Sequence, residues 1–273
     1  MTTALFGVVR WLGHELTVAA PHASWFEWLE DFTGLDVETG GAVCGRVPVL
    51  AIVDDRCVLV DGHDERRFQD CDALKAWLFL TVSDIMTSRG SVLALHAAGL
   101  VVDGRAVLIA GPPWSGKSTW AFEAARRGMP VLGDDQVAVE PLLGTVCAVP
   151  RPLKYRVVDE RSARALSALA VRARLDGEDV ALEPRRTCGL AAVDRAYAIS
   201  RIVHLTRHAG PGVHGAVLSQ RDAVRLVLDQ LRGTPTFPSV GAATRLLSRR
   251  LNVRLSVGDG EIDRAFELAL TIS

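Results

Sequence analysis

At positions 111–118 the chain reads GPPWSGKS, the spacing G-x-x-x-x-G-K-S of a phosphate-binding loop. In such a loop, successive backbone N–H groups and the positive end of the following helix converge on an anion. Lys117 is spaced to reach the terminal phosphates of a nucleotide, and the Ser118 hydroxyl is of the kind that binds Mg²⁺. Asp134 and Asp135 follow a short apolar run, MPVL at 129–132. An acidic residue at such a strand end can hold Mg²⁺ or take a proton from an attacking hydroxyl.

The middle of the loop is unusual. Pro112 and Pro113 have no N–H, but they fall in its outer arm, where a fixed φ stiffens the approach and a lost donor matters little. Every residue from Trp114 to Thr119 keeps its N–H, so the expected nucleotide contacts are Gly111, Trp114, Ser115, Gly116, Lys117, Ser118 and Thr119. Many such loops carry glycine where Trp114 stands. Its indole either packs over neighbouring elements, the commoner service of a large aromatic, or lines the mouth where nucleotide or substrate enters.

These residues need elements to hold them. AAGLVV (97–102), Asp103-Gly104 and RAVLIAG (105–111) predict two strands joined by a tight hairpin, the second running into the loop. A helix is expected from Lys117, closed by Gly128, and a strand at QVAVE (136–140) follows the acidic pair. Upstream, VPVLAIV (47–53) and CVLVDG (57–62) predict strands of a small sheet, and Asp72 to Met86 a helix. Downstream, strands are expected at 145–149, 201–206 and 252–257. A helix is expected over 219–233, with Ser219 as N-cap and Gly233 after its end, then a loop at TPTFPS (234–239), a shorter helix, and a final helix from about Glu261. The chain is α/β in class, divided into an N-terminal accessory region (1–88), β-rich or α+β, and a P-loop catalytic domain (89–273) with a mixed sheet and flanking helices.

Composition narrows the partners. Among 273 residues, Lys plus Arg number 31 and Asp plus Glu 32, so no basic excess marks a nucleic-acid binder. Cys44, Cys57, Cys71, Cys147 and Cys188 are scattered without a C-x-x-C pair, which favours reduced thiols over disulfides or zinc. The N-terminus is broken by Arg10, His14 and Glu15 and is read as fold rather than signal peptide. No apolar run reaches membrane-spanning length, and a cytoplasmic location is expected. His204, His208 and His214 lie on a strand and a Gly/Pro loop, a pattern that does not fix three imidazoles about a metal.

LHAAGLV (95–101), GPPWSGKS and RRGMPVLGDDQV (126–137) together resemble the catalytic core of HPr kinase/phosphatase, a bacterial serine kinase family. His96 precedes Lys117 by 117 − 96 = 21 residues and Asp135 follows it by 135 − 117 = 18, as in that family. The resemblance implies an HPr-kinase-like fold, with Asp135 as proton acceptor, Lys117 on phosphate, Ser118 on Mg²⁺ and His96 supporting the site. By chemistry alone, His96 in its apolar stretch reads as a core histidine. The family's metal-binding glutamate has no clear counterpart, since Arg185 and Arg186 stand near CGLAAV (188–193).

PRPLKY (150–155) and RIVHLTR (201–207) are closer to the HPr-kinase-like tailoring kinases of lasso peptides, which phosphorylate a serine of a precursor peptide. Arg151 and Lys154 then become candidates to steady phosphates or a substrate carboxylate. The expected activity is an ATP- and Mg²⁺-dependent transfer of phosphate to a serine hydroxyl, with Asp134 a further Mg²⁺ ligand. The expected partner is a peptide or protein bearing that serine, with no nucleic acid and no membrane, and the resemblance admits a homo-oligomer. A small-molecule kinase acting on free serine, a non-catalytic nucleotide-binding regulator and a generic P-loop ATPase are the alternatives.

Overall fold

The computed structural model describes residues 4–39, 48–89, 92–140, 142–156, 170–175, 177–186, 188–232, 237–247 and 250–272. Cys44, Val47, Gly233 and the 234–236 part of the expected loop lie outside them. The chain divides into two compact units, residues 1–90 with 150–188, and residues 91–149 with 189–273.

The first unit begins with β1 (Leu5–Trp11), β2 (His14–Ala20), α1 (Ser24–Thr33), β3 (Val37–Thr39), β4 (Leu50–Asp54), β5 (Cys57–Val60), β6 (Asp64–Arg67) and α2 (Cys71–Arg89). The strands make one sheet in the order β3-β1-β2-β4-β5-β6. Helix α1 buries Trp25, Phe26, Leu29 and Phe32, a stripe of helical period, and Phe32 stacks on Phe79 of α2 with ring centroids 4.4 Å apart. The chain leaves this unit and later returns to it as β13 (Leu153–Arg156), β14 (Val171–Leu175) and β15 (Glu178–Glu183), a three-stranded antiparallel sheet.

Residues 150–188, assigned from sequence to the catalytic domain, therefore pack with the N-terminal region. Strand β14 lies on α2. Arg151 pairs with Asp84 (3.3 Å), and Arg186 with Asp36 (2.6 Å) and Glu30 (3.4 Å). These contacts join residues more than sixty positions apart, which no local spacing announces.

The second unit contains β7 (Leu93–Leu95), β8 (Ala97–Val102), β9 (Arg105–Ala110), α3 (Lys117–Arg126), β10 (Val131–Gly133), β11 (Val137–Glu140) and β12 (Thr145–Ala148). It resumes with β16 (Ala196–Arg207), β17 (Val213–Val217), α4 (Gln220–Leu228), α5 (Phe237–Leu247), β18 (Leu251–Val257) and α6 (Ile262–Thr271). Its mixed sheet runs β10-β8-β9-β16-β12-β11-β7, with β18 added to β16 and β17 to β18. Strands β9, β16 and β18 are parallel. β9 is buried from Ala106 to Ala110, the near-continuous apolar run of a parallel strand covered on both faces. Trp120 of α3 meets Phe266 of α6 edge-on at 5.6 Å, both almost fully buried. Among the described residues, no helix is long and apolar enough to cross a membrane.

Local chemistry sets several boundaries. Asp103 and Gly104 both take positive φ, as the β8–β9 hairpin turn requires. Ser219 caps α4 by accepting from the Asp222 N–H at 3.2 Å. Helix α4, however, stops at Leu228 rather than running to 233, because the chain from Gln230 to Arg232 pairs with β7 instead. Helix α5 begins at Phe237, inside the expected loop, and Pro238 sits in its first turn, where a missing N–H has no intrahelical partner to lose.

His204 of β16 is 3 % exposed, with Nε2 3.4 Å from the side-chain oxygen of Asn252 on β18. Burial pushes this imidazole below the usual histidine range, against the opposing pull of Asn252. The unfolded chain therefore binds the proton more readily, and acid favours unfolding. The urea midpoint of the wild type should fall as pH drops below about 6.5, and His204→Gln should flatten that fall. Equal pH slopes in the two proteins would refute the assignment.

Candidate functional site

The loop between β9 and α3 is shaped by close approach. A Cβ on Gly111 would run into the Leu205 carbonyl oxygen of β16 and come within 2.9 Å of Ser115 Oγ. Gly116, the N-cap of α3, has φ 108°, and a Cβ there would lie 2.9 Å from Ile262 Cδ1. Gly111 is thus required by space, and Gly116 by its left-handed dihedral. Ser115 donates its N–H to the Pro112 carbonyl at 3.3 Å, closing the turn. Lys117 is 6 % exposed, and its Nζ bends back to donate to the carbonyls of Gly111 (2.8 Å) and Pro112 (3.0 Å).

Ser115 is 1 % exposed, and its Oγ has no hydrogen-bond partner among the described residues. Ser118 is half-buried and Thr119 exposed on the first turn of α3. Trp114 has φ 67°, in the left-handed region, and is 67 % exposed. Its indole does not fill a core. The glycine common at this position is explained by that backbone, which costs an L-residue roughly 1–2 kcal/mol.

Asp134, Asp135 and His96 sit at a seam in the same unit. Strand β7 pairs with β11, but β8, one residue later, pairs with β9 and β10. Strand β10 pairs with β8, but β11, after Asp134, Asp135 and Gln136, pairs with β7 and β12. Both chains change partners at the same level, and His96 and Asp135 are the residues at the change. His96 Nε2 lies 3.2 Å from Asp135 Oδ1, each side chain 19 % exposed. Asp134 is buried. The seam depends on Gly99, where a Cβ would come within 3.0 Å of Leu132 and Val137, and on Gly133, where it would crowd the Gln136 carbonyl.

Residues 230–232 complete the arrangement, and no motif spacing pointed to them. The His96 N–H donates to the Gln230 carbonyl (2.8 Å), and the Arg232 N–H to that of Ala94 (2.9 Å). Oriented by its acceptors, the Gln230 carboxamide donates to the carbonyls of His96 (3.2 Å) and Gly111 (3.1 Å). Arg232 Nη2 lies 3.5 Å from Asp135 Oδ1. The only prior signal was a helix pattern across 219–233, which concealed them.

Arg151 and Lys154 belong to the first unit, Arg151 paired with Asp84 and Lys154 on β13. There too, Glu183 and Arg185 are almost fully buried, and Cys188 Sγ lies 3.7 Å from Glu183 Oε2. Among the described residues no three His, Cys, Asp or Glu side chains gather as metal ligands. His208 Nδ1 is 3.0 Å from Ser256 Oγ.

Because Trp114 is 67 % exposed and holds a left-handed backbone, Trp114→Gly should leave the melting temperature unchanged or higher. Trp120→Ala, which empties a buried site, should cost about 3–5 kcal/mol. Calorimetry of the two variants checks this, and comparable losses would make Trp114 a packing residue.

No protein-family model matches the chain, and no curated protein matches it. Among solved structures, the chain is similar to the Hpr(Ser) kinase/phosphatase from Coxiella burnetii. The identity is 13 %, the match covers 65 % of this chain and 93 % of that one, and the TM-score is 0.34.

Proposed function

We propose that the protein is a kinase that transfers the γ-phosphate of ATP to a hydroxyl group, a serine of a peptide or protein in the first instance. The observation that carries this reading is the Asp135 carboxylate, held by His96 and Arg232 and linked through Gln230 to the first residue of a phosphate loop. A nucleotide-holding loop alone supports hydrolysis, regulation or transfer equally. A carboxylate fixed beside it supplies what transfer to a hydroxyl needs, an acceptor for the proton.

The loop fits a polyphosphate. Its glycines keep the cradle clear of side chains, the buried Ser115 hydroxyl lacks a partner among the described residues, and Lys117 has acceptors it can exchange for phosphate oxygens. Ser118 and Asp134 both offer oxygen donors, which suit Mg²⁺ rather than a softer metal, and would be the residues to hold it. When bound there, Mg²⁺ would neutralise phosphate charge and orient the nucleotide.

The chain's own residues do the rest. Loop N–H groups and Lys117 bind the phosphates. His96 positions the Asp135 carboxylate, which accepts the hydroxyl proton as the acceptor oxygen attacks in line. The resemblance read in PRPLKY (150–155) and RIVHLTR (201–207) favours a precursor peptide of the lasso type as the acceptor.

Asp135→Asn should lower phosphate transfer by roughly 10²–10⁴-fold while ATP affinity stays within a few-fold. Incubation with γ-labelled ATP and separate pools of serine-containing peptides and free amino acids measures both the loss and the acceptor class. Undiminished transfer by the Asn variant would sink the role of Asp135, and label appearing on free serine alone would shift the acceptor to a small molecule.

A further inference from the structure

In the reaction just described Arg232 only holds the Asp135 carboxylate, yet its guanidinium lies beside the proton acceptor. Its side chain is 49 % exposed, and among the described residues Asp135 is its only charged partner, at 3.5 Å. That contact occupies a small part of a five-donor fork. The base of the side chain, by contrast, is fixed. The Arg232 N–H is bonded to the Ala94 carbonyl, Leu231 bridges to Leu95, and Gln230 ties the same segment to His96 and Gly111. A half-exposed cationic head on a hydrogen-bonded backbone is thereby tethered to both the proton acceptor and the phosphate loop.

We infer that Arg232 carries the charge of the phosphoryl group during transfer, an inference that rests on the kinase reading above. As the acceptor oxygen bonds to the γ-phosphorus, its proton passes to Asp135. The bond from phosphorus to the β,γ-bridging oxygen breaks, and its electron pair leaves with ADP. Negative charge is then spread over the three equatorial oxygens of the group in flight. Protonation removes the carboxylate charge that holds Arg232. The guanidinium is released from Asp135 at the moment when charge to be stabilised gathers on the phosphoryl group. Lysine cannot reproduce the planar, multiply donating fork.

The test compares wild type, Arg232→Ala and Arg232→Lys in transfer from ATP to the acceptor identified with labelled nucleotide, with ATP binding measured by calorimetry. For Arg232→Ala, kcat should fall about 10²–10³-fold, with ATP affinity changed less than about threefold. Millimolar guanidinium should restore about a tenfold part of the lost rate, which a purely structural defect would not allow. A kcat within about threefold of wild type, a loss confined to KM or ATP affinity, or no response to guanidinium overturns the inference. Should Arg232→Ala not fold, Arg232→Lys decides, with a kcat about tenfold down supporting the inference and a wild-type kcat overturning it. Wild-type protein that transfers phosphate to no acceptor overturns the kinase reading and this inference with it. Undiminished transfer by Arg232→Ala overturns this inference alone.

Discussion

An ammonium group withdrawn from water must be given acceptors, since an uncompensated buried charge is among the most expensive features a fold can carry. Lys117 meets that demand with the carbonyls of Gly111 and Pro112, which curl the loop around its own lysine. The curl brings Gly111 against the Leu205 carbonyl of β16, so only glycine fits there. A carbonyl oxygen has two lone pairs, and the Gly111 oxygen takes a second donor, the Gln230 amide. If Nζ turns to a phosphate oxygen, that carbonyl still has the Gln230 amide. The loop can thus exchange its lysine for ligand without leaving that buried group unsatisfied.

The same Gln230 joins the loop to the seam where His96 and Asp135 meet. At such a seam, strands leave one neighbour before joining another, and backbone groups drop out of the ladder. The 230–232 segment supplies what is missing, bonding the N–H of His96 and the carbonyls of Ala94 and His96. Helix α4 ends early for this reason. Its last turn would hold these groups within the helix, and the seam would lose its partners.

Much of this was legible because it is local. The Asp103-Gly104 turn, the Ser219 cap, the glycines of the loop and the placement of Lys117 each follow from residues within a few positions of one another. Intervals of 21 and 18 residues placed His96 and Asp135 in a pattern, but not the strand exchange that brings their side chains to 3.2 Å. Gln230 and Arg232 were hidden because their helical periodicity is real, and only a distant sheet edge overrides it. The return of residues 150–188 to the first unit was illegible for a similar reason. Its strands are ordinary in pattern, and what assigns them is contact with α2 far back in the chain.

Two departures from local preference in the second unit sit side by side in the loop. Trp114 holds a left-handed backbone suited to glycine, while Ser115 buries a hydroxyl without a partner among the described residues. Away from the loop, the β8–β9 turn and the α4 cap have the residues their geometry prefers. Folding alone would replace Trp114 with glycine and Ser115 with a small apolar residue. Each change would relieve a local penalty without disturbing the sheet. Strain of this kind persists where structure serves binding rather than stability. The exposed indole and the buried Ser115 hydroxyl therefore support the proposed ligand-binding role of the loop on grounds independent of its spacing.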